Sequence, residues 1–309
     1  AALKEAWASR WGEALAVWSR FTKLTEPRWC LTEGQEKKEK LLDSFAMIRL
    51  TDHAVVISLR QVRDRGLERF PVEVLAHEIG HHVYAPADLT DNARLIARTR
   101  AGLPSRQGLA GLVANLYTDL LINDRLQRDA GLNMAGVYKT LRNPMSNRLW
   151  TLYMRIYETL WSLPLGTLAG GKMDEQIRND AHLGSRVIRV YAKEWLRGAG
   201  RFAALLLPYL LDEELAKAAP GLGGWLDTQE AGAGDLAPDG LAEMDSDELD
   251  GAIHPSEDPE ITGLGQPSEA EHPGGGTGRE LRGGQKPQYR DPSQYVELLR
   301  SLGVPIPEA

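Results

Sequence analysis

Between Pro71 and the Ala85-Pro86 pair the chain places apolar residues at Val72, Leu75, Ile79 and Val83, the spacing of one face of an α-helix. Pro71 suits the first turn, where its missing N–H has no partner to lose, and Pro86 disfavours helical backbone in the residue before it. A helix over 71–84 follows, and its apolar face demands a second layer to cover it. The same segment holds His77, Glu78 and His81. Residues four apart on a helix are neighbours, so both imidazoles converge on one point, where zinc would sit about 2.0–2.1 Å from each.

Two histidines are an incomplete ligand set. A structural zinc site wants Cys-rich, closed coordination, and the chain has a single cysteine, Cys30. A catalytic site needs only one more ligand and an open position. Zinc acidifies a water and polarises a carbonyl, and Glu78, outside the ligand set but within reach, suits the base that takes the water's proton and passes it to a departing amine. His82 points about 100° away from His81 and reads as a flanking or surface residue.

The third ligand is sought in Asn115, Asp119 and Asn123, which recur every four residues among Leu112, Leu116, Leu120 and Leu121. A polar row on an apolar helix is either a buried hydrogen-bond network or a metal site. With the histidine pair one ligand short, Asp119 is the expected third ligand, and Asn115 and Asn123 are expected to orient Asp119 or a histidine N–H from behind. Glu158 is the alternative metal ligand, with Asp124 and His182 behind it.

The surrounding chain is mostly helical. Leu3, Trp7, Trp11, Leu15 and Trp18 form an amphipathic stripe over 3–21, with the indoles expected in the core. The apolar runs 45–50 and 54–59, separated by Thr51-Asp52-His53, predict a β-hairpin. Further helices are expected over 88–101, from a cap at Ser105 to about Asp129, over 146–162, and over 175–218 with a break near Gly198–Gly200 or Pro208. The expected class is therefore α+β, mostly helical, with a small sheet or hairpin.

Charge divides the chain. Residues 1–226 contain 31 Lys and Arg against 25 Asp and Glu, whereas residues 227–260 contain 12 acidic residues and no basic one. No Lys/Arg cluster is interleaved with aromatics and no Gly-rich phosphate loop is found, so nucleic acid is not an expected partner. No apolar run reaches the roughly 20 residues of a membrane span. One cysteine and no signal-peptide pattern lead to a cytoplasmic expectation. Residues 227–288, acidic and rich in Gly and Pro, are expected to be a disordered linker. Residues 289–309 are expected to hold a short amphipathic docking helix, with Tyr295, Val296, Leu298, Leu299 and Leu302 on its apolar side.

His77–His81 followed by the Asn115, Asp119, Asn123 row resembles the zincin-type metallopeptidase domains of bacteria that occur with von Willebrand factor A-type domains and MoxR-type AAA+ ATPases. The resemblance covers about residues 70–127. It implies a zincin-like core in a domain spanning 1–226, zinc as cofactor, a protein or peptide substrate, and a von Willebrand A-type or AAA+ partner. No von Willebrand-type Asp-x-Ser-x-Ser motif follows downstream. The leading expectation is peptide-bond hydrolysis, with hydrolysis of a non-peptide amide not separable from it. The alternative is a non-catalytic adaptor of the same fold that recruits its partner through the C-terminal helix.

Overall fold

The computed structural model describes residues 2–41, 44–141, 147–211 and 252–263. They are mostly helical, with one three-stranded sheet. Two short helices, α1 (Ala2–Ala8) and α2 (Trp11–Trp18), replace the single helix expected over 3–21. Trp7 and Trp11 are buried, and Trp18 donates its indole N–H to the carbonyl of Ala76 at 2.7 Å, which ties α2 along α5 (Pro71–Val83).

The expected hairpin forms as β2 (Ala46–Arg49) and β3 (Ala54–Ser58), antiparallel with Ala46 opposite Ile57 and Arg49 opposite Ala54. A third strand, β1 (Arg28–Cys30), pairs in parallel with β3 and makes the order β1-β3-β2. Three residues are too few for any periodicity to reveal. This arrangement leaves β3 central and β2 at one edge. Cys30 is buried there, and burial, then Glu39 and Glu36, push its thiol up to about 11. Two further short helices, α3 (Glu33–Lys38) and α4 (Leu59–Asp64), begin at Thr32 and Ser58, whose hydroxyls accept from the backbone three residues on.

Among the described residues the remaining helices are α6 (Leu89–Ala101), α7 (Ala110–Arg128), α8 (Met134–Thr140), α9 (Arg148–Leu160), α10 (Glu175–Val190), α11 (Trp195–Leu210) and the single-turn α12 (Pro259–Thr262). A 3-10 turn at Gln107–Leu109 precedes α7, so the helix starts later than a cap at Ser105 predicts. The α10–α11 break falls at residues 191–194, not at the glycines or Pro208. Tyr84 donates to the Ala192 carbonyl within the break and Tyr117 to that of Trp195 at the start of α11. Gly198 and Pro208 both lie inside α11, and position 198 needs glycine because a Cβ there would strike the Tyr117 hydroxyl.

Two apolar cores meet at α7. One joins α1, α2, α4, α5 and the sheet through Trp7, Ile48, Ile57, Leu75 and Ile79, and takes Ile122 and Leu126 from α7. The other joins α6, α9, α10 and α11 through Leu95, Ile156, Val187 and Phe202, and takes Leu116, Tyr117 and Leu120 from α7. Because α7 is covered on both sides, its polar row is buried between the two cores. Among the described residues no helix is long and apolar enough to cross a membrane.

Part of the stretch expected as a disordered linker packs on this body. Within 252–263, Ile261 and Asp258 are buried, and Asp258 pairs with Arg201 and accepts from the Tyr191 hydroxyl at 2.6 Å. Glu260 pairs with Arg197 at 2.6 Å. The linker expectation is corrected for these residues: composition shows little apolar surface to bury, but two arginines and a tyrosine of α10–α11 supply partners for their carboxylates. The rest of 227–288 and the helix expected in 289–309 lie outside the described residues.

Candidate metal centre

α5 is buried on more than its apolar face. His77, Glu78 and His81 are all shielded from solvent, His81 completely. α7 crosses α5 at this level and presents Asp119, itself buried. Three acceptor atoms face one another: His81 Nε2 lies 3.3 Å from His77 Nε2 and 3.4 Å from Asp119 Oδ1, and His77 Nε2 lies 3.8 Å from the same oxygen.

The opposite ring atoms fix the tautomers. His77 Nδ1 is 2.8 Å from Asn123 Oδ1, and His81 Nδ1 is 3.0 Å from the Ala85 carbonyl oxygen. Neither oxygen carries a hydrogen, so each Nδ1 is the donor and each Nε2 turns a lone pair inward. Asn115 donates its amide to Asp119 Oδ2 at 3.2 Å, leaving Oδ1 as the atom nearest the imidazoles. Two lone pairs and a carboxylate oxygen converging out of water repel one another unless a cation or an added proton sits between them. A tetrahedral ion with bonds of about 2.0–2.1 Å has ligand–ligand edges of about 3.3–3.4 Å; two of the three separations match that edge and the third, between His77 and Asp119, is longer at 3.8 Å, so the group could hold a metal ion. Among the described residues, this is the group of His, Cys, Asp and Glu side chains placed to hold a metal.

The other residues of interest are elsewhere. Glu158 is not brought to the centre: its buried carboxylate accepts the backbone N–H groups of Leu168 at 2.6 Å, Ala169 at 2.9 Å and Gly166 at 3.2 Å, and pairs with Arg155 at 3.0 Å. It is a clamp for the loop after α9. Asp124 lies one residue beyond Asn123, 3.4 Å from Arg128, and burial pushes its carboxyl above the ordinary range despite Arg128 and Arg189. His182 is exposed on α10. His82 packs against His53, ring centroids 4.3 Å apart, and burial, then the neighbouring His53, hold its imidazole below the usual range.

Beside the centre lies a cleft lined by the polar side chains of His77, Glu78, Asp119 and Asn123, by Ser44, Phe45 and Ala46 at the start of β2, by Val74 on α5, and by Met134, Val137 and Leu141 from α8 and its end. Tyr138 also lines it.

Behind Asn123 stands a group that sequence reasoning missed. Asn123 Nδ2 donates to the hydroxyls of Tyr138 and Tyr157, each at 2.9 Å, and Tyr153 joins Tyr157 at 3.1 Å. Burial, then the charge of Asp119, pushes the Tyr157 hydroxyl far up, and burial does the same for Tyr153. Tyr153 and Tyr157 read in sequence as part of the apolar stripe of α9; their i, i+4 spacing was the one available hint that the hydroxyls meet. Searches against protein-family models, curated proteins and solved structures find no match for the chain.

Proposed function

We propose that the chain is a zinc-dependent peptidase of zincin-like construction, with His77, His81 and Asp119 as ligands and Glu78 as general base. The observation that carries this reading is the convergence of three acceptors within 3.3–3.8 Å of one another, two of which, His77 and Asp119, line a cleft together with the buried carboxylate of Glu78. Zinc in such a site supplies a Lewis acid that acidifies water and polarises a carbonyl. Glu78 is adjacent in sequence to His77 yet lies outside the converging group, so it is available to take a proton from the attacking water and return it to the leaving amine. A merely structural ion would not need it.

The cleft favours a peptide. β2 is one edge of the sheet and its start lines the cleft, so an extended substrate would run beside it; at Ala46 it would compete with the Ser44 hydroxyl, which donates to that carbonyl at 2.6 Å. The lining holds no charged side chain apart from the carboxylates of Glu78 and Asp119, which suits an apolar residue beside the scissile bond.

The test is metal analysis with a peptidase assay on the wild type and Glu78→Gln. The amide keeps the shape and loses the base, so zinc stays bound and hydrolysis disappears. Equal hydrolysis by both proteins would refute the assignment. His77→Ala and His81→Ala lose the metal itself.

A further inference from the structure

We infer that Tyr153, Tyr157 and Tyr138 form a one-way hydrogen-bond chain that fixes which end of the Asn123 amide faces His77, and so holds His77 in the tautomer whose Nε2 is open to a cation. The inference rests on the reading of His77 as a metal ligand.

The direction follows from counting hydrogens. The Tyr153 hydroxyl lies 3.2 Å from the Leu116 carbonyl oxygen, which only accepts, so the single hydrogen of Tyr153 goes there. At the 3.1 Å contact with Tyr157, Tyr153 is then the acceptor and Tyr157 the donor. At the 3.0 Å contact between Tyr157 and Tyr138, Tyr157 has no hydrogen left, so Tyr138 donates. The chain runs from Tyr138 to Tyr157 to Tyr153 to the backbone of α7.

Both hydroxyls beside Asn123 therefore present lone pairs to it, and both are met by Nδ2 hydrogens at 2.9 Å. A reversed amide would set Oδ1 against two oxygens whose hydrogens point elsewhere, and Nδ2 against the Nδ1–H of His77. With the amide so fixed, Oδ1 requires a hydrogen on His77 Nδ1, 2.8 Å away, and Nε2 keeps its lone pair. Tyr153 and Tyr157 act through Asn123 and are positioning residues.

The experiment reads the tautomer without metal or substrate. Long-range proton–nitrogen spectra are recorded on the metal-free full-length chain, labelled with nitrogen-15 histidine, at a pH where imidazole is neutral. The His77 resonances are assigned through His77→Gln. Wild type shows His77 with its hydrogen on Nδ1 alone. In Tyr153→Phe the hydrogen of Tyr157 is released, Asn123 Oδ1 gains a donor on the tyrosine side, and His77 becomes a mixture of tautomers. Zinc(II) affinity, measured by competition with a chromophoric chelator, falls by about 10–100-fold, as for other partners behind a ligand. Tyr157→Phe, which removes one acceptor of the amide, moves both readouts in the same direction.

Tyr209→Phe is the control. It deletes another buried hydroxyl, one that donates to Asp180 at 2.6 Å, and leaves tautomer and affinity as in wild type. The inference is overturned by a wild-type His77 protonated on Nε2, which needs no variant to fold. It is equally overturned by a folded Tyr153→Phe with one Nδ1–H tautomer and undiminished affinity, or by a Tyr209→Phe that loses as much. A wild type that shows the expected tautomer but binds no zinc and cleaves no peptide would instead refute the metal and peptidase reading.

Discussion

Gly80 lies against the side chain of Ile122 so closely that a methyl group on its Cα would sit 2.6 Å from Ile122 Cγ2, and as near to Cζ2 of Trp18. The glycine between Glu78 and His81 is therefore what lets α7 and α2 settle onto α5. Ile122 is three residues beyond Asp119 and His81 is one beyond Gly80, so this close approach also sets the carboxylate against the imidazole.

Gly80→Ala is expected to push α7 and Trp18 outward. The cost expected for overpacking a close-packed contact is about 1–3 kcal/mol, with weaker zinc binding on top of it. Denaturant unfolding and a zinc titration measure the two effects. Wild-type values for both would show that the helix pair has room to spare.

The ordering of losses along α7 separates a ligand from its support. Asp119→Ala removes one of three converging acceptors and is expected to abolish tight zinc binding, whereas Asn123→Ala is expected to cost about 10–100-fold. Metal content after dialysis against a weak chelator gives the ranking. A reversed order would mean that Asp119 belongs to a hydrogen-bond network only.

Glu158→Ala is expected to leave the metal untouched and to harm the fold. It strips the acceptor from three backbone N–H groups and from Arg155, whose side chain is largely buried. Breaking a buried pair of this kind costs about 3–5 kcal/mol. The midpoint of unfolding should drop while zinc stoichiometry stays the same; loss of zinc from a folded variant would move Glu158 into the ligand set.

Acid is expected to loosen residues 252–263. Burial pushes the Asp258 carboxyl up, but hydrogen bonds from Tyr191 and Arg201 outweigh it and hold the group below its ordinary 3.8. The folded value is thus lower than the unfolded one. The contact contributes in full above the unfolded value and is lost as pH falls through the folded one. The amides of Ile261 and Thr262, both bonded to the Asp258 carbonyl, should lose exchange protection over that acid range, and Asp258→Asn should show no such acid-dependent step. An identical profile in the variant would remove the carboxylate from the explanation.

Some of this architecture is written in local pattern. The apolar stripe of α5, the placing of His77, Glu78 and His81 on it, and the four-residue polar row of α7 are periodicities of a single helix, and a periodicity needs no partner to be read. The β2–β3 pair and the burial of Trp7 and Trp11 follow from the same kind of signal. The facing of helices is different. Asp119 and Glu158 are both acidic residues on largely apolar helices, and nothing in either helix says which one turns toward the histidines; Glu158 is held by the loop 166–169, and Tyr157, about 100° round α9, faces the centre instead. The tyrosine hydroxyls on Asn123 belong to α8 and α9, and the partners of Asp258 to the α10–α11 break and α11, each separated from its contact by a stretch of chain that carries no trace of the pairing. Sequence by itself determined which residues share a helix face. Only tertiary packing, through contacts such as Gly80 on Ile122, decided which faces meet, because the energy that chooses between them is burial and hydrogen bonding summed over the whole interface rather than a preference of any one residue.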